Sequence, residues 1–399
     1  MSPVIPFDII ARIVDIVGEN EDNDLLKELS LVSHSFFQVC SKHLFATIEL
    51  DDARLSLKRG FVMLLKSRPE VVQYIRKLTY KFYDNNLSFG RNDRLLSSTL
   101  PNFLRTIPHL NYLKITSRSV VTNPDWKELD PSVTSALLHL MHLPTINHIE
   151  ISYIQNFPIS SLIPCVNLLR LDVNQLRHDD DSFEIVPSEV MPKLREFRTT
   201  GSSLLTRKLL HAKLQDGRPA FNLMNLRRLS LFPEDFKDKS SIRYLLQNAK
   251  LLEELHWQLM NVLRIVGLRD SLSPTACTLK VLRLKTVFYS YDNVSSPTRL
   301  YEELEAMAGH NVLEALTIEI WMSDSRSKDC IGTIIQKVGE ILVKPGWSAL
   351  RQVFFKVACL STDSAKVEAL RSLINEKYLG HFSALESVAF NYSVDVFLA

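Results

Sequence analysis

An apolar-x-x-apolar-x-apolar kernel recurs eleven times between residues 75 and 390 of this 399-residue chain. The copies begin at Ile75, Leu110, Ile146, Leu168, Leu194, Leu226, Leu252, Leu279, Leu313, Leu350 and Leu385, at intervals of 22 to 37 residues that average 31. A single copy carries little weight, because chance alone supplies such a pattern on the order of 25 times in a chain this apolar. Order is what matters. The last three kernel positions alternate with period two, as a half-buried strand does, and the intervals are long enough for a helix and two turns. No such strand–helix unit can bury its apolar face alone, so the units must stack.

Three longer copies sharpen the pattern. Ile107-Pro108-His109-Leu110, Leu143-Pro144-Thr145-Ile146 and Met191-Pro192-Lys193-Leu194 each place proline just before the kernel, where it ends one helix as the next strand begins. Helix-period segments lie between kernels, at Leu95–Ile107, Ser241–Ala249, Leu300–Ala308, Ile331–Leu342 and Val367–Leu373. Residues 70–399 therefore resemble an irregular leucine-rich-repeat array. That resemblance implies an α/β solenoid with a concave parallel sheet, kernel side chains inside and helices on the convex side. A doubly wound α/β domain is the competing fold. It would want a glycine-rich first turn and near-continuous Val/Ile strands, and neither is present.

In a solenoid of this kind the residue between the last two kernel positions points out of the concave face. That row reads Thr79, Lys114, Glu150, Asp172, Arg198, Ser230, His256, Arg283, Thr317, Phe354, Ala389. It has two readings, a solvated strand surface and a docking face for a target protein. On the second, Lys114, His148, Arg170, Arg198, Arg228, His256, Arg283 and Phe354 are the candidate target-binding residues. Arg170, Arg198, Arg228 and Arg283 would form a basic strip for an acidic or phosphorylated segment.

Composition narrows the function classes. Lys+Arg 47 against Asp+Glu 45 leaves a net charge of +2, without the basic excess of a dedicated nucleic-acid binder or the basic face of a membrane-surface protein. Glycine is only 11 of 399, too few for the loops that wrap phosphates or dinucleotides. Five cysteines, at 40, 165, 277, 330 and 359, are scattered without a C-x-x-C pair, which suits a reducing compartment. The apolar opening is interrupted by Asp8, Arg12 and Asp15, so it does not read as a signal peptide. The uncharged stretches at 131–149 and 151–169 carry Pro144, Pro158 and Pro164, which argues against lipid-spanning helices. The expectation is a cytoplasmic or nuclear protein that binds neither nucleic acid nor membrane.

The first fifty residues form their own unit. Pro6 falls where a first helical turn accepts proline, and Ile9, Ile10, Ile13, Val14 and Val17 follow at helical spacing until Gly18 and an acidic run. Asp24 is a candidate cap for a second helix, Leu25–Val32, and Ser33 or Ser35 for a third carrying Phe36, Phe37, Val39, Cys40 and Leu44. An extended Phe45–Leu50 closes the unit. Three short helices make a weak core by themselves and need a partner surface. Residues 51–69 read as a helical connector.

Ile5-Pro6-Phe7-Asp8-Ile9, Leu29–Phe36 and Lys42–Leu50 together resemble an F-box, in the order and spacing common among fungal members. Two positions depart from the pattern: Phe36 stands where a tryptophan is usual, and Asp8 where the family has glutamate. The resemblance implies an F-box-like helical domain over residues 1–50, a connector over 51–69 and a repeat solenoid over 70–399. It further implies a Skp-type adaptor and a cullin ligase as partners, making the chain the substrate-recognition subunit of a ubiquitin ligase. Carried over, the adaptor-binding candidates are Ile5, Pro6, Ile9, Ile10, Ile13, Leu29, Val32, Phe36 and Phe37. Three alternatives stay open: a bare cap packing on the repeats, a scaffold that recruits no ligase, and a small-molecule sensor.

No enzyme is expected. The sequence holds no G-x-S-x-G, G-x-x-x-x-G-K or H-E-x-x-H motif. His139, His142 and His148 lack a nearby Cys or carboxylate to complete a metal site, and His178-Asp179-Asp180-Asp181 lacks the EF-hand spacing. Neither cofactor nor metal is expected. The segments 117–132, 174–189, 287–298 and 322–329 read as polar rim loops.

Overall fold

Nine strands of the repeat region begin with one hydrogen-bonding device. In the computed structural model, two successive amides at the mouth of a strand donate to a single carbonyl of the preceding coil. Arg76 and Lys77 donate to Ala46, Asn111 and Tyr112 to Arg76, Asn147 and His148 to Asn111, and Leu169 and Arg170 to Asn147. The same step recurs at Arg195, Arg227, Glu253, Lys280 and Glu314. Turn amides that would otherwise be orphaned are thereby satisfied, and each strand is fixed in register with its predecessor.

The structure describes residues 6–20, 22–51, 63–64, 67–82, 94–119, 123–177, 191–232, 239–259, 268–288, 298–309, 311–322, 328–360, 368, 372 and 388–397. The chain divides into two compact units, residues 1–192 with 212–220 and residues 193–211 with 221–399.

The first unit opens with three helices, α1 (Phe7–Glu19), α2 (Asn23–Ser30) and α3 (His34–Leu44). Ile10, Val14, Leu26, Val39 and Cys40 form their core, with Ala11, Val17, Leu29, Phe36 and Leu44 packed around it. Ser33 caps α3 by accepting from the Phe36 amide, as expected. Two details differ from the sequence reading. Asp22, not Asp24, caps α2, its carboxylate accepting from the Leu25 amide, while Asp24 pairs with Lys27 instead. Gly18 does not end α1; the helix runs through it, and the His43 ring of α3 occupies the space a side chain would fill.

Five parallel strands follow in chain order: β1 (Thr47–Asp51), β2 (Lys77–Phe82), β3 (Tyr112–Ser117), β4 (His148–Ser152) and β5 (Arg170–Asn174). The extended segment after α3 is thus the first strand, a coil ahead of the eleven kernels. Its Ile48 and Leu50 lie in register with Leu78 and Tyr80, so the trio feeds directly into the sheet. Of the connector, Met63, Leu64 and Ser67 are described as α-helical, and Pro69 opens a 3-10 helix that runs to Tyr74. Helices Arg94–Arg105 and Pro131–Met141 separate the next strands, the second capped by the Asp130 carboxylate.

The second unit holds β6 (Glu196–Thr200), β7 (Arg228–Phe232), β8 (Glu254–Leu259), β9 (Val281–Phe288), β10 (Ala315–Met322), β11 (Gln352–Leu360) and β12 (Ala389–Phe397), again parallel and in chain order. Helices Ser203–His211, Lys239–Asn248, Leu268–Leu272, Thr298–Met307 and Lys328–Leu342 lie between them. Each unit is an α/β solenoid of strand–helix coils, as the kernels required. The predicted helix at Val367–Leu373 lies outside the described residues except for Glu368 and Ser372.

Kernel side chains from Ile75 to Phe355 are buried, apart from the half-buried Trp257, and Leu113, Ile115, Ile149, Ile151, Leu255 and Leu282 are inaccessible to solvent. Helix residues such as Leu104, Leu137, Leu140 and Leu245 are equally buried, so strand kernels and helix stripes fill the core together. One kernel position is polar. Thr199 hydrogen-bonds Thr206 at 2.9 Å, and Thr206 donates to the Ser202 carbonyl at 2.8 Å, which satisfies both buried hydroxyls.

Two expectations are corrected. The last kernel is displaced by two residues: Asn391, not Ala389, lies opposite Phe354, because Phe390 pairs with Val353. The alternation Phe390-x-Tyr392-x-Val394-x-Val396 matches the nine-residue β11 over more positions than the kernel does, and the longer match sets the register. Secondly, segment 117–132 is not merely a polar loop. Trp126 is buried against Phe82 and Phe157, and Asp125 bridges Gln155, which bridges Arg177 in turn.

Candidate functional site

Helix α1 carries two apolar stripes, each at i, i+4, i+7. Ile10, Val14 and Val17 face the trio's core; Ile9, Ile13 and Ile16 lie beside them with 47%, 41% and 48% of their surface exposed. Phe7 at the start of α1 and Leu25 on α2 are also exposed. The turn between α2 and α3 adds Leu31 and Val32, at 86% and 66%. This concentration of uncovered aliphatic surface on a unit of some forty residues marks a contact surface.

The predicted adaptor residues separate along the same lines. Pro6, Ile9, Ile13 and Val32 are exposed. Ile10 is in the trio's core, with Leu29 and Phe36 packed against it, and Phe37 is half-buried with the Arg68 guanidinium 4.5 Å from its ring. Ile5 lies outside the described residues. Sequence reading missed Phe7, Ile16, Leu25 and Leu31. The second α1 stripe was visible in principle, because Ile9, Ile13 and Ile16 repeat the spacing of the first.

The trio is locked between α1 and α3 by one carboxylate. Asp15 accepts from Lys42 at 2.6 Å and from His43 at 2.8 Å, and these two hydrogen bonds, Lys42 first, hold its pKa below the usual carboxylate value.

On the polar strand face of the first unit, the charges pair among themselves. Glu150 takes Lys114 at 2.6 Å and the Tyr112 hydroxyl at 2.8 Å; Asp172 takes His148 at 3.0 Å and Arg170 at 2.9 Å; Glu49 takes Lys81 at 2.8 Å. The Tyr112 and His148 rings pack at 4.5 Å. Burial pushes the Asp172 carboxyl up, but His148 and Arg170 together outweigh it and its pKa ends below the usual value. Burial, then Glu150, raises the Tyr112 phenol. Lys114, His148 and Arg170 are therefore committed to a closed network.

The second unit's face is organised differently. Arg228 pairs with Glu196, and Arg283 lies 3.6 Å from Glu254. The His256 Nε2 is 3.3 Å from Glu254 but outside hydrogen-bonding geometry; burial, then Arg283, pulls its pKa below the usual imidazole value. Two cations rest on rings instead: Arg198 over Phe232 at 5.5 Å, and Lys285 over Trp321 at 4.1 Å. Phe354 is half-buried on β11. Of the four arginines, Arg170 in the first unit is tied to Asp172, and Arg198, Arg228 and Arg283 in the second are interleaved with Glu196 and Glu254.

Among the described residues, no three His, Cys, Asp or Glu side chains are grouped to hold a metal ion, and no helix is long and apolar enough to cross a membrane. His142 bonds the Ser161 carbonyl and His148 bonds Asp172. His178–Asp181 lies outside the described residues.

No family model matches the sequence, and none of the curated proteins compared with it does. Among solved structures, a Bacteroides fragilis protein is similar over 86% of this chain and 84% of its own, at 12% identity and a TM-score of 0.35. An internalin from Listeria monocytogenes is similar over 87% of this chain and 93% of its own, at 13% identity and a TM-score of 0.31.

Proposed function

We propose that this chain is a protein-interaction receptor: its helical trio docks a Skp-type adaptor of a cullin ubiquitin ligase, and its strand faces present a target protein. The chain itself performs no chemistry in this reading and acts by raising the target's concentration near the ligase. The observation that carries the proposal is the second apolar stripe of α1, Ile9, Ile13 and Ile16, left open beside Leu31 and Val32. A solenoid cap alone has no use for that stripe, since the trio is already closed over Ile10, Val14, Leu26, Val39 and Cys40. Burying the remaining exposed half of each such side chain contributes about 1 kcal/mol. Five of them supply the apolar centre of a specific interface. The F-box resemblance of residues 3–50 supports the choice of adaptor.

The test is co-expression with a Skp-type adaptor and co-purification of the pair. Wild type should retain the adaptor, and Ile9→Asp with Ile13→Asp should lose it while the circular dichroism spectrum stays unchanged. Phe36→Asp is unsuitable for the purpose, because Phe36 packs against the trio's core. A wild-type chain that never retains the adaptor defeats the proposal.

A further inference from the structure

The two strand faces differ in how their cations are held. On β1–β5, Lys81, Lys114 and Arg170 pair with carboxylates within the sheet. On β6–β11 the outward positions carry Arg198, Arg228, Arg283, Lys285 and Lys356 against Glu196, Glu254 and Glu319. Arg228 and Arg283 have glutamates within 4 Å, whereas Arg198 is positioned by the Phe232 ring and Lys285 by the Trp321 ring, with Glu319 in register opposite Lys285. A ring orients a cation without neutralising it, so an incoming anion meets a fixed positive charge at Arg198, and at Lys285 a fixed charge that it shares with Glu319.

The spacing of these two cations defines a ligand. Three strand intervals separate β6 from β9, and Lys285 lies two residues further along than Arg283, the position in line with Arg198 through Ser230 and His256. Intervals of about 4.8 Å and a rise of about 3.4 Å per residue put the two Cα atoms about 16 Å apart. Between them lie Ser230, His256 and Gln258, none of which bears a formal charge with histidine neutral.

We infer that this face of the second unit receives an extended peptide segment bearing two carboxylates about five residues apart, one on Arg198 and the other on Lys285, with uncharged residues between. Single carboxylates fit better than a phosphate: Arg198 and Lys285 are about 16 Å apart, too far to converge on one dianion. Glu196, Glu254 and Glu319 on the same surface oppose a nucleic-acid backbone. The inference rests on the reading of the strand faces as the target-binding side.

Fluorescence anisotropy of the full chain with labelled synthetic peptides tests it. A peptide with two glutamates five apart in a Ser/Leu background should bind. The same peptide with Gln for Glu, or with its glutamates two apart, should bind at least about fivefold more weakly. Arg198→Met and Lys285→Met should each cost about fivefold; Lys285→Arg, which keeps a cation on the ring, and Lys81→Met, on the other unit, should leave binding unchanged. Equal affinity for the Gln peptide, insensitivity to both methionine variants, or tighter binding of a phosphoserine peptide or a thymidine oligonucleotide would each overturn the assignment. Scoring adaptor retention on the same preparations separates the two readings. A chain that keeps the adaptor but ignores every peptide refutes this inference alone, and one that binds the peptide but never the adaptor refutes only the docking role.

Discussion

Replacing Asp172 by Asn should weaken the first unit by about 2 kcal/mol at neutral pH. The carboxylate is nearly buried, with 10% of its side-chain surface exposed, and it accepts from His148 at 3.0 Å and from Arg170 Nε and Nη2 at 3.1 and 2.9 Å. Hydrogen bonds to a charged group contribute about 1.5–3 kcal/mol each. Asn keeps the shape but turns an NH2 toward at least one of these donors. Against the loss stands the relief of no longer burying a charge, and Arg170, at 40% exposure, is partly screened by water. The balance is about 2 kcal/mol. Its pH dependence has a defined direction: the folded-state pKa is depressed, so the stabilisation is present above the unfolded carboxylate value of about 3.9 and is lost as pH falls through the lower folded value. Urea unfolding of both proteins, with amide exchange read on β4 and β5, should show a gap that is present at pH 7 and closes as pH falls below about 4. Equal stability at pH 7, or a gap that persists unchanged to pH 2, would refute the reasoning.

Three further outcomes are expected. Gly18→Ala should destabilise the trio by about 1–2 kcal/mol in thermal melts: a Cβ there would lie 2.6 Å from His43 Cγ, and the overpacking, with loss of the His43–Asp15 bond, exceeds the helix-propensity gain of about 1 kcal/mol. Thr206→Val should cost about 1–2 kcal/mol because it removes the donor to Ser202 and strands Thr199, whereas Thr199→Val should stay within about 1 kcal/mol of wild type, since Thr206 keeps its carbonyl partner. Among Cys40, Cys165 and Cys277, iodoacetamide at pH 8 followed by peptide mapping should label Cys277, which is exposed, and spare Cys165, whose thiol burial pushes up to about 12.

The repeat architecture was legible because a kernel of period-two alternation is dictated locally, and each copy from Ile75 to Leu350 leads into the strand it announced. The last copy failed for a reason the kernel could not carry. Register in β12 is decided by matching alternation along all of β11, a property of two strands together. The order of the helical trio was equally readable, but its caps were not. Asp22 and Asp24 are alike as residues, and only the approach of the preceding turn decides which carboxylate meets the Leu25 amide. Among the site residues, composition and spacing identified polar positions on the strand faces without revealing their pairing. Arg170 and Arg198 look the same in sequence, yet one is tied to Asp172 and the other rests on Phe232, a contact with a neighbouring strand 34 residues away. Lys285 was missed as a candidate because its distinction is the Trp321 ring on the next strand.

The docking stripe of α1 is tested most directly by titration calorimetry of the purified full chain against a purified Skp-type adaptor. Wild type should bind with a dissociation constant at or below about 1 μM and a negative heat-capacity change, as burial of Ile9, Ile13, Ile16, Leu31 and Val32 requires. Ile13→Asp, at a position already 41% exposed, should weaken binding at least about 30-fold without lowering the melting temperature. Absence of binding by the wild type, or equal binding by wild type and Ile13→Asp, would contradict the account.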